Sequence, residues 1–390
     1  MGLRACCSTA QSKFGLDIRM SLRDFLDETK SSFSYFINRY DGTTRFQTQT
    51  LDVTPDSEAR FGGASWTNLP HKGDLISRII LKVDFEDEGV SFVQSAGTYM
   101  IDYAELYFER QLIERVYGEY IELWNDLTVP QGKQPLLTTL HGKGVFSQSP
   151  KSFYVVLPFS FVKRGIPLVA LRDQKIQLKI QYRDTSMFAL QQNDAGNYID
   201  PYDRQIPISQ TLYIDYVYLT DSEAKEFEGR PLEYLIEQVQ YYQGTVPAGS
   251  SNVTLALNFT NPVKDMFFIL QDTGAVAYSY SSNLQSLNLV LNGQDVIPAQ
   301  IGTSLYLGSI QPMDYYTRSP THNFYVYSFC LDPENDDPTG HLNFGRIQRQ
   351  DVNLSVVPSS VDTYFRVYAR SYNIFKIEAG KGLMLFNNLQ

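Results

Sequence analysis

From Phe46 onward, apolar and polar residues alternate with a period of two, the spacing of a strand with one face buried. Gln47–Val53, Leu75–Phe85 and Tyr99–Phe108 read as strands, separated by turn signals at Gly62-Gly63, Lys72-Gly73-Asp74 and Glu88-Gly89. The period changes across Tyr117–Leu127, where Tyr120, Leu123, Trp124 and Leu127 fall at i, i+3, i+4 and i+7. That spacing predicts an amphipathic helix ending before Pro130, its stripe turned to the core. Phe153–Tyr182 supplies further strands around a proline-bounded loop at Gly165-Ile166-Pro167. Asp184–Pro207, rich in Asp, Asn and Pro, reads as an exposed tower or mobile insertion. Thr211–Leu219 alternates strictly, after which Thr220 is placed to cap a short helix carrying Ala224 and Phe227.

Strands resume at Glu233–Val239 and recur at Thr254–Asn258, Met266–Leu270, Leu287–Leu291, Asn323–Leu331, Val352–Val356, Tyr364–Tyr372 and Leu383–Phe386. About sixteen short strands in two groups, without long helices between them, argue for an all-β chain. Two consecutive eight-stranded antiparallel jelly rolls with a few short helices fit best. Immunoglobulin-like sandwiches would be shorter and would carry a Cys and Trp pattern that is missing here. The expected division is an N-terminal arm over 1–34, a first jelly roll over 35–220 and a second over 221–390. In the arm, Leu22, Phe25 and Leu26 fall on one face of a short helix.

The chain also repeats itself about 170 to 180 residues apart. Phe159-Ser160-Phe161, Gly165, Leu168, Leu171 and Ile176–Ile180 correspond to Tyr327-Ser328-Phe329, Gly340, Phe344, Ile347 and Val352–Val356. Upstream, Tyr103–Tyr107 with Gln111-Leu112-Ile113 corresponds to Leu287–Leu291 with Gln294–Ile297. Two β-rich domains of one design point to a building block rather than to an enzyme with a single cleft.

Composition sharpens this picture. In 390 residues, 43% hydrophobic, there are 27 Tyr and 24 Phe, enough apolar material for two cores with a preference for sheet. Only 19% are charged, as expected if much of the surface is covered by other copies of the chain. The net charge of -10, with no basic run, argues against direct nucleic-acid binding. Cys6, Cys7 and Cys330 form no disulfide framework, which suits a reducing compartment. The sequons at Asn252, Asn258 and Asn353 sit in strand-like runs and read as chance matches. Gly2 and the nearby cysteines partly resemble an acylation signal, but Cys6 stands where that signal needs Ser or Thr; Met20 is a plausible alternative start.

Candidate chemistry is sparse. His71, His141, His322 and His341 show no metal-ligand spacing, and there is no nucleophile elbow, phosphate-binding loop or dinucleotide fingerprint. The expectation is therefore no catalytic, cofactor-binding or metal residue, and no enzyme. Glu86-Asp87-Glu88 and Asp336-Asp337 read as solvated turns, Asn292-Gly293 as a type I′ hairpin turn, and Trp66 as a candidate for an exposed interface position.

Several phrases together resemble a known family. They are Phe33–Tyr40, Phe61-Gly62, Leu69–Ile76 with Gly73 and Asp74, Gly118–Leu127 with Trp124 and Asn125, and Leu157–Phe161 with Pro158, Phe159 and Phe161. Pro167–Leu171 with Pro167, Leu168 and Leu171 follows, then Tyr234–Gln238, Phe259–Asp265 with Asn261 and Pro262, and Leu291-Asn292-Gly293. The series ends with Tyr325–Phe329 containing Ser328 and Phe329, Gly340, Asn343 and Phe344, and Arg366–Asn373 containing Tyr368, Tyr372 and Asn373. In this order, over nearly the whole length, they resemble the double jelly-roll major capsid proteins of nucleocytoplasmic large DNA viruses and related smaller double-stranded DNA viruses. The resemblance implies a homotrimer forming a pseudo-hexagonal capsomer in an icosahedral virion shell assembled in the host cytoplasm. It also implies neighbouring capsomers and minor or cement proteins as partners, with the arm on the inner side near a membrane. A minor capsid or assembly scaffold protein, or a glycan-binding attachment jelly roll using Trp66, are the alternatives.

Overall fold

The computed structural model describes residues 44–85, 90–143, 147–148, 152–192, 198–202 and 205–386. The expected arm with its Leu22–Leu26 helix, the two N-terminal cysteines, Met20, the Phe33–Tyr40 phrase and the Glu86–Glu88 turn lie outside the described residues.

The first half contributes strands β1 (Phe46–Val53), β2 (Ala64–Asn68), β3 (Leu75–Phe85), β4 (Ser91–Phe92), β5 (Ile101–Phe108), β6 (Gln111–Tyr117) and β7 (Ser147–Gln148). It continues with β8 (Ser152–Val156), β9 (Ile166–Pro167), β10 (Ile176–Tyr182), β11 (Ala189–Gln192), β12 (Tyr198–Pro201) and β13 (Ile208–Leu219). The second half contributes β14 (Leu232–Val246), β15 (Asn252–Ala256), β16 (Pro262–Asp272), β17 (Leu284–Leu291) and β18 (Gln294–Ile297). Then come β19 (Tyr325–Ser328), β20 (Leu342–Asn343), β21 (Gln350–Val356), β22 (Thr363–Glu378) and β23 (Lys381–Met384).

All these strands pair antiparallel, and the two halves share one topology. Sheet β1-β13-β3-β8 faces sheet β2-β10-β5-β6 in the first; β14-β22-β16-β19 faces β15-β21-β17-β18 in the second. Each is an eight-stranded jelly roll, in which sequence-distant strands are neighbours. Even the small additions correspond, since β9 pairs with β3 and β20 with β16 at the same end. The first roll carries one extra sheet, β12-β11-β4-β7, built from its insertions. Part of the Asp184–Pro207 segment is therefore sheet rather than a bare tower, because β11 finds β4 as a partner.

The repeat is real, but its register differs from the one read off the phrases. The hairpin β5-β6 turns at Phe108↔Gln111 and β17-β18 at Leu291↔Gln294, so Phe108 corresponds to Leu291 and Ala104 to Leu287. The phrase Tyr103–Tyr107 is thus one residue out, a slip that exchanges the two faces of the strand. Ile176 pairs with Phe108 and Gln350 with Leu291, so Ile176 corresponds to Gln350 and the Val352 match is two residues out.

Several elements depart from their expected bounds. Tyr99 ends a helical turn, Ala96–Tyr99, instead of opening β5. The predicted helix spans Gly118–Thr128. The expected strand over Asn323–Leu331 contracts to β19, leaving Cys330 buried just beyond its end. Thr220 precedes the Asp221–Glu228 helix, but its hydroxyl contacts Ser222 Oγ at 3.1 Å rather than a backbone N–H, so it makes no side-chain cap.

Alternation explains most of the interior. β10 buries Ile176, Leu178, Ile180 and Tyr182 and turns Gln177, Lys179 and Gln181 outward. β16 departs from that rule: Met266, Phe267, Phe268, Ile269 and Leu270 are all essentially inaccessible. A strand apolar on both faces is covered on both. Met266, Phe268 and Leu270 fill the core of the second roll, whereas Phe267 and Ile269 join Tyr368 and Val326 in the apolar cluster of the first. The chain from Phe46 on is accordingly one compact unit in which two sandwiches share a seam.

Candidate functional site

The Gly118–Thr128 helix builds this seam. It leaves β6 at Gly118, where a Cβ would lie 2.1 Å from the Ile101 carbonyl oxygen and 2.2 Å from that of Thr98, so only glycine lets the helix start so close to β5. Leu123 and Leu127 anchor one side in the first roll. Tyr120 reaches the second, its ring 5.8 Å from Phe267 and 6.2 Å from Tyr368. The predicted stripe thus lies in a single apolar cluster, that of the first roll, which reaches across to Phe267 and Tyr368 of the second.

The helix also carries Glu119, Glu122 and Asp126, all buried. Glu119 accepts hydrogen bonds from Tyr368 (2.6 Å), Tyr280 (3.1 Å) and the Arg366 guanidinium (2.7 Å), all in the second roll. Asp126 accepts from Lys143 Nζ (2.8 Å), the Thr321 amide (2.6 Å) and the Thr321 hydroxyl (2.8 Å), and lies 3.2 Å from both Arg318 and His322 Nδ1. Burial alone would raise the Asp126 pKa. The His322 hydrogen bond, Lys143 and Thr321 outweigh it and hold the carboxyl well below the usual carboxylate range.

Arg370 is the matching cation from the second roll. Its guanidinium lies 4.1 Å over the Trp124 ring and donates to Asp265 Oδ1 (2.8 Å), Glu237 (3.2 Å) and the Pro333 carbonyl (2.7 Å). Asp265 also accepts from the Tyr316 hydroxyl at 2.7 Å, and Lys264 closes on Glu237 at 2.6 Å. Backbone and amides extend the seam: Ser160 Oγ accepts from the Glu237 amide, and Gln238 donates to the Ile113 carbonyl while accepting from Asn373. At the far end Phe161 packs on Phe375 at 4.8 Å and on Tyr234 at 5.3 Å.

The family-motif residues sort into groups by this geometry. Trp124, Phe161, Tyr368 and Asn373 are seam residues. Pro158 and Phe159 line a cleft of about 300 Å³ beside it, with Lys163 and Arg370, and Asn125 accepts from Gln134 through its carbonyl. Others close a single roll. Gly73 passes where a Cβ would meet Tyr216 at 2.9 Å, Asp74 accepts from the Leu219 amide, and Pro167 pairs with Leu75 while Leu168 and Leu171 are buried. In the second roll Asn261 adopts φ 62° and accepts from the Phe344 amide, Pro262 opens β16 against Asn343, and Gly340, at φ 141°, crosses behind Cys330. Ser328 hydrogen-bonds the Cys330 carbonyl, Phe329 packs on Phe344, and Tyr372 lies over Lys264. Asn292 and Gly293 both have positive φ, 50° and 82°, as a type I′ turn requires.

Trp66 lies outside the seam. It is 36% exposed on the outer face of β2-β10-β5-β6, 5.4 Å from Tyr107, with Lys179 Nζ 5.7 Å from its ring. The charges Glu119, Glu122, Asp126, Asp265, Arg366 and Arg370 went unrecognised in the sequence. For Asp265 and Arg370 the available signal was an ionisable residue inside a strand otherwise apolar on both faces.

His141, packed beside the Gly118–Thr128 helix within the first roll, is expected to make stability fall with acid. His141 is 2% exposed, neither ring nitrogen has a hydrogen-bond partner among the described residues, and Nδ1 lies 3.7 Å from Glu122. Burial lowers its pKa, with Glu122 opposing only in part. Below about pH 6.5 the unfolded chain takes up this proton while the folded chain does not, so stability falls as pH falls. The slope from this one group is at most about 1.4 kcal/mol per pH unit. We expect His141→Leu to flatten the loss of urea midpoint between pH 7.5 and 5.5; an unchanged slope would show that the imidazole is solvated.

Comparison with known proteins agrees with this architecture. The family description "Major capsid protein N-terminus" matches residues 34–220, and "Large eukaryotic DNA virus major capsid protein" matches residues 223–382. The chain is 27% identical to the major capsid protein of Pyramimonas orientalis virus, over 91% of this chain and 94% of that one. It is 23% identical to that of Phaeocystis pouchetii virus, over 88% and 94%. Among solved structures, PBCV-1 VP54, fitted into a reconstruction of the virophage Sputnik, superposes with a TM-score of 0.78 at 20% identity, covering 91% of this chain and all of that one. The chain belongs to the major capsid protein family of large eukaryotic DNA viruses, structural proteins of the virion built as double jelly rolls.

Proposed function

We propose that this chain is the major shell protein of its virion, closing as a homotrimer whose six jelly rolls give a pseudo-hexagonal capsomer. The observation that carries this is the seam: two rolls of identical strand order are locked side by side by the buried Glu119–Arg366 and Asp126–Arg318 pairs and by apolar contact, so each chain offers two similar sixths of a ring. Such capsomers tile an icosahedral shell against neighbouring capsomers and minor or cement proteins, assembled in the host cytoplasm. In this reading residues 1–34 are an arm facing the particle interior and its membrane, 35–220 form the first roll, and 221–390 the second. The family-motif residues hold the rolls shut and joined, and the chain works as a structural protein without cofactor or catalysis. Quantitative protein analysis of purified virions tests this against the scaffold alternative. The chain should be the most abundant polypeptide of the particle; a trace amount or absence would assign it to a minor or transient role.

A further inference from the structure

The strand registers allow the outer faces of the two equivalent sheets to be compared residue by residue. In the second roll, one rung across the sheet reads Tyr241↔Tyr368↔Phe267↔Val326. The equivalent rung of the first roll reads Asp52↔Tyr213↔Ile80↔Val156. Both sheets are anchored alike, at Pro167↔Leu75 and Asn343↔Pro262, and both carry a one-residue bulge in the next turn of the ladder. Beside each rung stands an ion pair of opposite polarity: the buried Asp265 with Arg370 in the second roll, and the more exposed Arg78 with Asp215 in the first.

The two rungs differ in what covers them. Phe267 and Val326 are fully buried, because the segment leaving β6 at Gly118 lays Tyr117 and Tyr120 over this sheet. Val156 is 48% exposed, and Ile80 and Tyr213 are only half-buried. The segment equivalent to that cover exists in the second roll. It leaves β18 through Gly302, where a Cβ would lie 1.8 Å from the Leu287 carbonyl oxygen, much as Gly118 passes Ile101. It then runs as a helix over Ser304–Tyr315, with Leu307 buried five residues after its glycine as Leu123 is after Gly118. Its opposite side exposes Leu305 (68%), Ile310 and Met313 (70%) in one stripe.

We infer that the Ser304–Tyr315 helix of one copy packs on the Ile80, Tyr154, Val156 and Tyr213 face of the next, so that the contact between chains repeats the seam within each chain. The inference rests on the trimer reading and names the surfaces that close it. The interaction is heterologous: helix on one partner, sheet on the other, which closes into a ring when each chain supplies both. Apolar side chains exposed this far on both surfaces are what an interface core requires.

The test uses two variants of the full chain. Leu305→Asp with Met313→Asp spoils the helix stripe, and Val156→Asp with Tyr213→Asp spoils the sheet face. Both alter exposed or half-exposed positions, so circular dichroism should remain that of the parent, with melting lowered only by the lost association. Each variant alone should be monomeric where the parent is trimeric, and an equimolar mixture should give one-to-one heterodimers, since only one good contact forms and no ring can close. Trimers from either variant alone, or full trimers from the mixture, would overturn the inference while leaving the trimer reading intact. A parent chain that is itself monomeric would sink both. Should the aspartates impair folding, Leu305→Ser with Met313→Ser serves instead and should weaken association at least tenfold, about 1.4 kcal/mol; unchanged association would count against the inference.

Discussion

Replacing Arg370 by Leu is expected to destabilise the protein by about 3 to 5 kcal/mol, because it removes one partner of a buried ion pair and leaves the other uncompensated. Asp265 is fully buried and the Glu237 side chain is 18% exposed, and both direct carboxylate oxygens at this guanidinium. The loss of the cation over Trp124 adds to the cost. Denaturant unfolding of purified protein measures the effect. Adding Asp265→Leu should recover part of the loss, since a buried pair removed whole costs less than one partner removed alone. A change below about 1 kcal/mol for Arg370→Leu would mean that the seam is open to water in solution.

Phe267→Ala and Phe268→Ala form a second pair of expectations, each costing about 3 to 5 kcal/mol. The two residues are adjacent in β16 and point to opposite sides. Phe268 packs on Phe365 inside the second roll, whereas Phe267 packs under Tyr120 in the seam. Calorimetry should therefore distinguish them. Phe268→Ala should lower one shared transition, and Phe267→Ala should divide it, as the first roll loses its hold on the second. Two transitions already present in the unmodified protein would contradict the single unit described above.

How much of this could be read from the sequence depends on where the determining contacts lie. β3 was legible to the residue, because its alternation is bounded by Lys72-Gly73-Asp74 and its inward Ile76, Ile79, Leu81 and Val83 are unmistakable. Asn292-Gly293 was legible because turn chemistry is local. The register of the repeat was not. Tyr103 and Tyr107 face outward, over the Glu105, Arg115 and Lys179 cluster, and look as apolar on paper as inward Ala104 and Leu106. The helices at Gln134–His141 and Ser304–Tyr315 each contain a proline that obscures a helical pattern: Pro135 sits in the first turn, and Pro312 follows the widened turn Tyr306–Ile310. The seam carboxylates were hidden for a different reason. On an isolated helix Glu119, Glu122 and Asp126 look like the solvent face. Only the second roll, 161 to 249 residues away in sequence, draws Glu119 and Asp126 into a buried network, while Ser95 and Thr98 of the first roll take up Glu122.

The same network is the reason to regard the chain as half-built on its own. One flank of the pair of rolls is sealed by the seam, while the equivalent flank of the first roll and the helix of the second stand open. The measurement that bears most directly on this is the mass of the purified protein in solution by light scattering. A stable species of three times 44.5 kDa is the predicted result, and a monodisperse monomer at working concentrations would contradict the account.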